Sequence, residues 1–135
     1  MNLLSGPVSH IDAVLTLANA PHLSADRDPI IARSWRRCVH DYGLDPARPS
    51  EARFVPRQVL REHQDQADEL INVARAGVEQ LYRQVAELGY VILLTDNRGI
   101  AVQFLGDPAD EKAHRKTGLY LGSDWGEDHA GTCAV

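Results

Sequence analysis

Residues able to do chemistry are few and scattered along the chain. Cys133 follows His129 by four positions, with Asp128 beside it; on a helix that spacing brings thiol and imidazole together, as a thiolate nucleophile or a redox-sensing thiol requires. The competing reading is a small buried cysteine next to a surface histidine. Cys38 and His40 stand two apart, about 200° from each other on a helix, so Cys38 reads as core and His40 as solvated. The six histidines show no clustered ligand spacing, and neither a metal nor another cofactor is expected. Gly118, Gly122, Gly126 and Gly131 lack the spacing of a phosphate-binding loop, and no Lys-Ser or Lys-Thr pair comes after them. They read as turns and close backbone approaches. Arg33, Arg36 and Arg37 do not make a recognition helix by themselves; they read as a solvated face or as partners for the acids after residue 62. Trp125, among Gly122, Ser123, Asp124 and Glu127, reads equally as the wall of a small-molecule pocket and as core packing.

The elements that must position these side chains are punctuated helices and then a hairpin. Residues 9–20 predict a short helix ended by Pro21. A second helix is bounded by Asp28 as N-cap, Pro29 at the first helical position and Gly43 at the left-handed stop. Ile31, Trp35, Cys38, Val39 and Tyr42 share one of its faces, and Arg33, Arg36, Arg37 and His40 the other. Pro46 and Pro49 mark a connector. Pro56 then opens one long helix ending at Leu88, before Gly89. Its apolar positions Leu60, Ala67, Leu70, Ala74, Val78, Leu81, Val85 and Leu88 advance by threes and fours, close to the seam of paired helices. His63 interrupts that seam, Gly77 weakens the helix, and a kink or break is expected near residues 62–66.

After Gly89 the period changes. Tyr90–Thr95 is a continuous apolar run typical of a buried strand, Asp96-Asn97-Arg98-Gly99 supplies turn chemistry, and Ile100–Leu105 alternates, so a β-hairpin is expected. Asp107-Pro108 and Gly118-Leu119 bound a short exposed helix. Leu119–Leu121 reads as a brief strand, and the Asp124-x-x-Glu127 spacing as the capping start of a further helix. The fold class is therefore α+β. Residues 1–55 form a helical segment and connector, and residues 56–135 a long helix with the first part of a sheet domain.

Composition narrows the function classes. With 135 residues, 44% hydrophobic and 24% charged, the chain has the size of one domain and needs no disulfide merely to be stable. Its two cysteines lie far apart and suit a reducing cytoplasm. The first dozen residues lack a basic stretch leading into an apolar core of about ten residues, and no run approaches the roughly 20 apolar residues that cross a bilayer, so neither secretion nor a membrane partner is expected. A net charge of −5 argues against a dedicated nucleic-acid binder. Residues 27–61 hold eight arginines against four acids, and residues 62–88 two arginines against six acids. A basic segment leading into an acidic one suits pairing with itself or with a partner subunit.

Arg33-Ser34-Trp35-Arg36-Arg37-Cys38 and Asp41-Tyr42-Gly43-Leu44-Asp45-Pro46 resemble the amino-terminal signature of sigma-54-dependent, Fis-family transcriptional activators of the acetoin-catabolism regulator type. The resemblance continues through Leu81-Tyr82, Tyr90–Asp96, Arg98-Gly99, Gly118–Gly122, Asp124–Glu127 and Ala130–Val135, covering about residue 28 onward in consistent order. The family usually carries serine where this chain has Gly126 and asparagine where it has Cys133, so contacts made by those side chains do not carry over.

The resemblance implies a GAF sensor domain preceded by helices, with no catalytic activity of its own. A AAA+ ATPase engaging sigma-54 RNA polymerase and a Fis-type helix-turn-helix binding enhancer DNA would lie outside this chain. The GAF-like antiparallel sheet would itself be incomplete here, represented by its first hairpin and early cover. The small-molecule effector pocket would draw on Tyr90, Leu94, Phe104, Tyr120 and Trp125, with Asp96 and Asp124 as polar groups. A hairpin with an open edge and an uncovered apolar face needs further strands or another chain, so a homodimer is expected, with the Pro56–Leu88 helix as its element. Two other readings stand beside sensing: a thiol switch or thiol enzyme centred on Cys133, and a purely structural dimerisation segment.

Overall fold

The computed structural model of the chain describes residues 7–20, 29–48 and 50–133. Among these the protein is α+β, with six α-helices and one two-stranded antiparallel sheet. It divides into two compact units, one built from the elements up to Ser50 together with Glu127–Cys133, the other from Glu51 to Gly126.

In the first unit, α1 (Pro7–Asn19) packs on α2 (Pro29–Arg36). The expected cap at Asp28 and stop at Pro21 lie outside the described residues. Val14, Ala18, Ala32 and Cys38 form the core, and the His10 and Trp35 rings meet edge-on with centroids 5.6 Å apart. Beyond Arg36 the chain widens into a π-turn, Arg37–Asp41, closed by Tyr42 N–H donating to the Arg37 carbonyl at 3.0 Å. This wider turn rotates the residues beyond it relative to an α-helix, and Tyr42 leaves the apolar face expected for it and stays largely exposed. The other end of the unit is α6 (Glu127–Ala130). Glu127 accepts two hydrogen bonds from Arg37, at 2.8 and 3.0 Å, and one from the Ser34 hydroxyl, which also meets Thr132 Oγ1 at 2.6 Å. The Arg37 bonds, with help from Ser34, hold the Glu127 carboxyl below its usual range. Arg37 thus has an acid partner in Glu127, which lies outside the acidic segment 62–88.

In the second unit the long helix expected from Pro56 is two helices, α3 (Arg57–Gln66) and α4 (Asp68–Val85), and then a 3₁₀ turn over Ala86–Leu88. The kink lies at Ala67, beside residues 62–66 as expected. Ala67 leaves helical geometry (φ −96°, ψ 10°) and is itself buried. In the last turn of α3 both His63 and Gln64 bond to the hairpin, at Asp96 and at the Val102 carbonyl.

The hairpin pairs β1 (Ile92–Thr95) with β2 (Ala101–Leu105), with a bulge at Leu94/Thr95. In the turn Gly99 takes positive φ (+83°); the helix stops at Gly43, Gly89 and Gly118 are left-handed as expected. The outer side of the hairpin at Ile100 and Ala101 is not open. Residues 122–125 run antiparallel beside it, and Phe54 bridges to Ser123 in turn. With α3 and α4 also packed on β2, Ile100, Ala101 and Val102 are all buried, including Ala101, which alternation sets on the face opposite Ile100 and Val102. Residues 119–121 form no strand; after α5 (Glu111–Thr117) they turn to deliver Gly122 and Ser123 to that bridge. Asp124 closes its own turn, accepting from the Gly126 N–H at 2.9 Å, where the capping spacing points to the N–H of Glu127.

Candidate functional site

The carboxylates of the second unit fix the segments around them. Asp96 opens the hairpin turn, and its Oδ1 accepts the N–H groups of Arg98 and Ile100 at 2.9 and 3.0 Å. Its Oδ2 accepts from His63 Nδ1 at 2.5 Å. Both side chains are about nine-tenths buried, with 9% exposure for Asp96 and 10% for His63. Burial pushes the Asp96 carboxyl up, and the bonds from His63, Ile100 and Arg98 together outweigh it, so the group sits below its ordinary value. His63 was absent from the residues expected at a site. Its signal was the polar side chain at a core position of an apolar seam, which needs a partner when buried.

Asp124 is held in the same manner from the other side of the bridge. Arg53 donates to its Oδ2 through Nε at 2.8 Å and a terminal nitrogen at 2.5 Å. Trp125 is next in the chain, with its backbone N–H on the Gly99 carbonyl at 2.8 Å and its indole N–H on Ser123 Oγ at 2.8 Å. Ser123 Oγ donates onward to the Tyr120 carbonyl at 2.7 Å.

Phe104 and Tyr120 meet. Their ring centroids are 4.8 Å apart, with His114 against Phe104 at 5.8 Å. Arg115 lies 4.2 Å over the Tyr120 ring and bonds to Glu111 at 2.8 Å. The Arg115 bond is the main cause that holds the Glu111 carboxyl below its usual range. The Phe104 ring folds back over Gly106, where a Cβ would come within 2.4 Å of it. Beside the two rings is a cavity of about 250 Å³, bordered further by Leu105, Asp107, Pro108 and Glu111. An aromatic wall with two carboxylates at the rim, Asp107 and Glu111, suits a small molecule carrying a hydroxyl or another donor.

Of the seven residues expected at the pocket, the structure therefore brings Phe104 and Tyr120 to one cavity. Leu94 faces Gln103 across the hairpin, on the side opposite the Leu93–Phe104 pair. Tyr90 is 62% exposed ahead of β1. Asp96, Asp124 and Trp125 hold the turn and the bridge. Gly106 and Glu111, which border the cavity, were not singled out, because Gly106 acts by lacking a side chain and Glu111 looks like any exposed helical acid.

The thiols are placed differently from the helical expectation. Cys38 is buried, with Thr132 Oγ1 3.7 Å away. Cys133 is exposed and lies beyond the end of α6, past Gly131 at φ +79°, so it does not share a helical turn with His129. Alkylation of the folded chain should accordingly modify Cys133 well ahead of Cys38, read by mass spectrometry of quenched time points; equal rates would contradict this placement. Among the described residues no group of three or more His, Cys, Asp or Glu side chains is arranged to hold a metal, and no helix is long and apolar enough to cross a membrane.

No protein-family model matches the chain, and no solved structure matches it. Its sequence has clear relatives among known regulators. Over 132 residues the chain is 52% identical to the acetoin catabolism regulatory protein of Cupriavidus necator. That stretch is 93% of this chain and 20% of the relative. The signal-transduction and transcriptional-control protein of Clostridium beijerinckii is 28% identical over 111 residues, 78% of this chain and 17% of that protein. The chain thus spans a fifth or less of the curated relatives it matches. Both names are regulatory and neither is enzymatic, which supports a regulatory role.

Proposed function

We propose that the chain is the sensory segment of a sigma-54-dependent transcriptional regulator, and that it binds a small uncharged metabolite beside Phe104 and Tyr120. The observation that carries this reading is the 52% identity to a regulator named for acetoin catabolism, joined to a cavity of about 250 Å³ walled by two contacting aromatic rings. A hydroxyketone of acetoin's size fits the volume, its methyl groups suit the rings, and its hydroxyl can donate to Glu111. In this reading the hairpin and the bridge through residues 122–125 begin a GAF-like sheet. The ATPase, the contacts to sigma-54 RNA polymerase and the enhancer-binding helices lie outside this chain, the setting is the cytoplasm, and two copies associate through α4.

Calorimetric titration of the 135-residue chain with acetoin tests the effector. Saturable binding is expected, weakened about tenfold or more in Phe104→Ala and in Tyr120→Ala, as loss of one aromatic contact would give. Absence of saturable binding, or affinity unchanged in both variants, would overturn the assignment of the cavity.

A further inference from the structure

The first unit holds a cavity of its own, of about 250 Å³. Helix α1 brings His10 and Val14 to it from positions four apart, one turn above the other on the same face. Trp35, Cys38 and Val39 come from α2 and the π-turn, and Leu44 N–H bonds to the Cys38 carbonyl at 2.8 Å, which folds Leu44 back beside them. The remaining wall is α6 and the residues after it. There the Ser50 hydroxyl donates to the His129 carbonyl at 3.1 Å, and a Cβ on Gly131 would meet Leu44 Cδ1 at 4.0 Å. Val14 and Cys38 are buried, and Trp35, Val39 and Leu44 half-buried, so one side of the cavity is apolar and carries an indole.

Its polar side is rich in donors. His10 and His129 each present at least one ring N–H in either protonation state, and Arg48 a permanent guanidinium. The carboxylate that borders the cavity among the described residues, Asp45, is already engaged: Oδ1 accepts the Ala47 N–H at 2.9 Å and Oδ2 lies 3.6 Å from Arg48 Nε. Arg48 meets it through Nε and its side chain is 88% exposed, so the terminal N–H groups of the fork can turn to a second acceptor. The Ser50 and Thr132 hydroxyls are bonded to the His129 carbonyl and to Ser34. A cation entering here would face the guanidinium. A lone hydroxyl would answer one donor, whereas the two oxygens of a carboxylate answer several. We infer that this cavity binds a small monocarboxylate with a flat apolar body, such as benzoate, its ring against Trp35 and Val39 and its carboxylate on Arg48 and an imidazole N–H. Such a ligand touches α1, α2 and α6 together, and it shares no residue with the cavity beside Phe104 and Tyr120.

Titration of the ¹⁵N-labelled 135-residue chain with sodium benzoate, followed in ¹H–¹⁵N spectra, tests this. The chain has two tryptophans, one in each unit, and resonance assignment distinguishes their indole N–H signals. The Trp35 signal should shift saturably, with a dissociation constant of about 1 mM or tighter, while the Trp125 signal stays in place. Arg48→Gln should weaken binding about tenfold and retain the folded spectrum, since that side chain is mostly in solvent. Benzyl alcohol, which lacks the charge, and acetate, which lacks the ring, should each bind about tenfold more weakly or worse. No saturable shift at Trp35, or one that Arg48→Gln leaves unchanged, would overturn the site. Benzyl alcohol binding as tightly as benzoate would overturn the carboxylate, and acetate binding as tightly would overturn the apolar body.

Discussion

Replacing Gly99 by alanine is expected to destabilise the second unit by about 3 kcal/mol or more, seen as a fall of more than about 10 °C in thermal midpoint. Two costs add. Gly99 sits at φ +83°, where an L-residue pays about 1 to 2 kcal/mol. The added Cβ would also lie 2.8 Å from the Gly126 nitrogen and 2.9 Å from the Trp125 carbonyl carbon. Both are backbone atoms, and neither can retreat freely. Trp125 N–H is bonded to the Gly99 carbonyl, Gly126 N–H to Asp124, and Asp124 to Arg53. Relief of the clash therefore means breaking the bridge that closes the side of the hairpin. Gly89→Ala is the control: its φ of +75° is comparable but a Cβ there meets nothing within 4 Å, so it should lose only the conformational part. Equal losses in the two variants would show that the close approach at Gly99 carries no energy.

That contrast also indicates what the sequence could disclose. Local signals were readable: left-handed stops at Gly43, Gly89 and Gly118 come from glycine ahead of an apolar residue, and the hairpin from an apolar run, a turn and an alternating run. A kink near residues 62–66 of the Pro56–Leu88 helix was readable too, although the residue where it falls, Ala67, has no breaking chemistry of its own. Just before it, His63 and Gln64 bond to groups more than thirty residues away. The same holds for the site. Phe104 and Tyr120 border one cavity, whereas Asp96 and Asp124, expected as polar pocket groups, are occupied by His63 and Arg53, partners distant in sequence. The π-turn after Arg36 changes a face without any proline or glycine to announce it. Pairings across long stretches of chain set these features, and composition and period carry little of that information.

The His63–Asp96 pair gives the second large effect. Asp96→Ala should cost about 3 kcal/mol at neutral pH, because it strands a buried imidazole N–H and two turn N–H groups together. Asp96→Asn should cost less, since an amide still supplies an oxygen to the turn and can hydrogen-bond the imidazole in its other tautomer. The pH dependence separates charge from geometry. Asp96 has a folded-state value below its ordinary one, so the unfolded chain takes up this proton first as pH falls. The stability it contributes is complete above the unfolded value, near pH 4, and is lost as pH falls from there through the folded value. Wild type should thus keep its advantage over Asp96→Asn above the unfolded value, near pH 4, and the two, compared by urea unfolding, should converge at lower pH. His63→Ala should move that convergence to higher pH, because it removes the strongest bond holding the carboxyl down while burial continues to push it up. A wild-type advantage that persists unchanged well into acid, or a convergence that His63→Ala does not move, would mean that the ionised carboxylate is not what ties helix α3 to the hairpin turn. If the convergence does move, the link between α3 and the β1–β2 turn is a charge-assisted hydrogen bond, and α4, which continues from α3 at Ala67, is positioned through it.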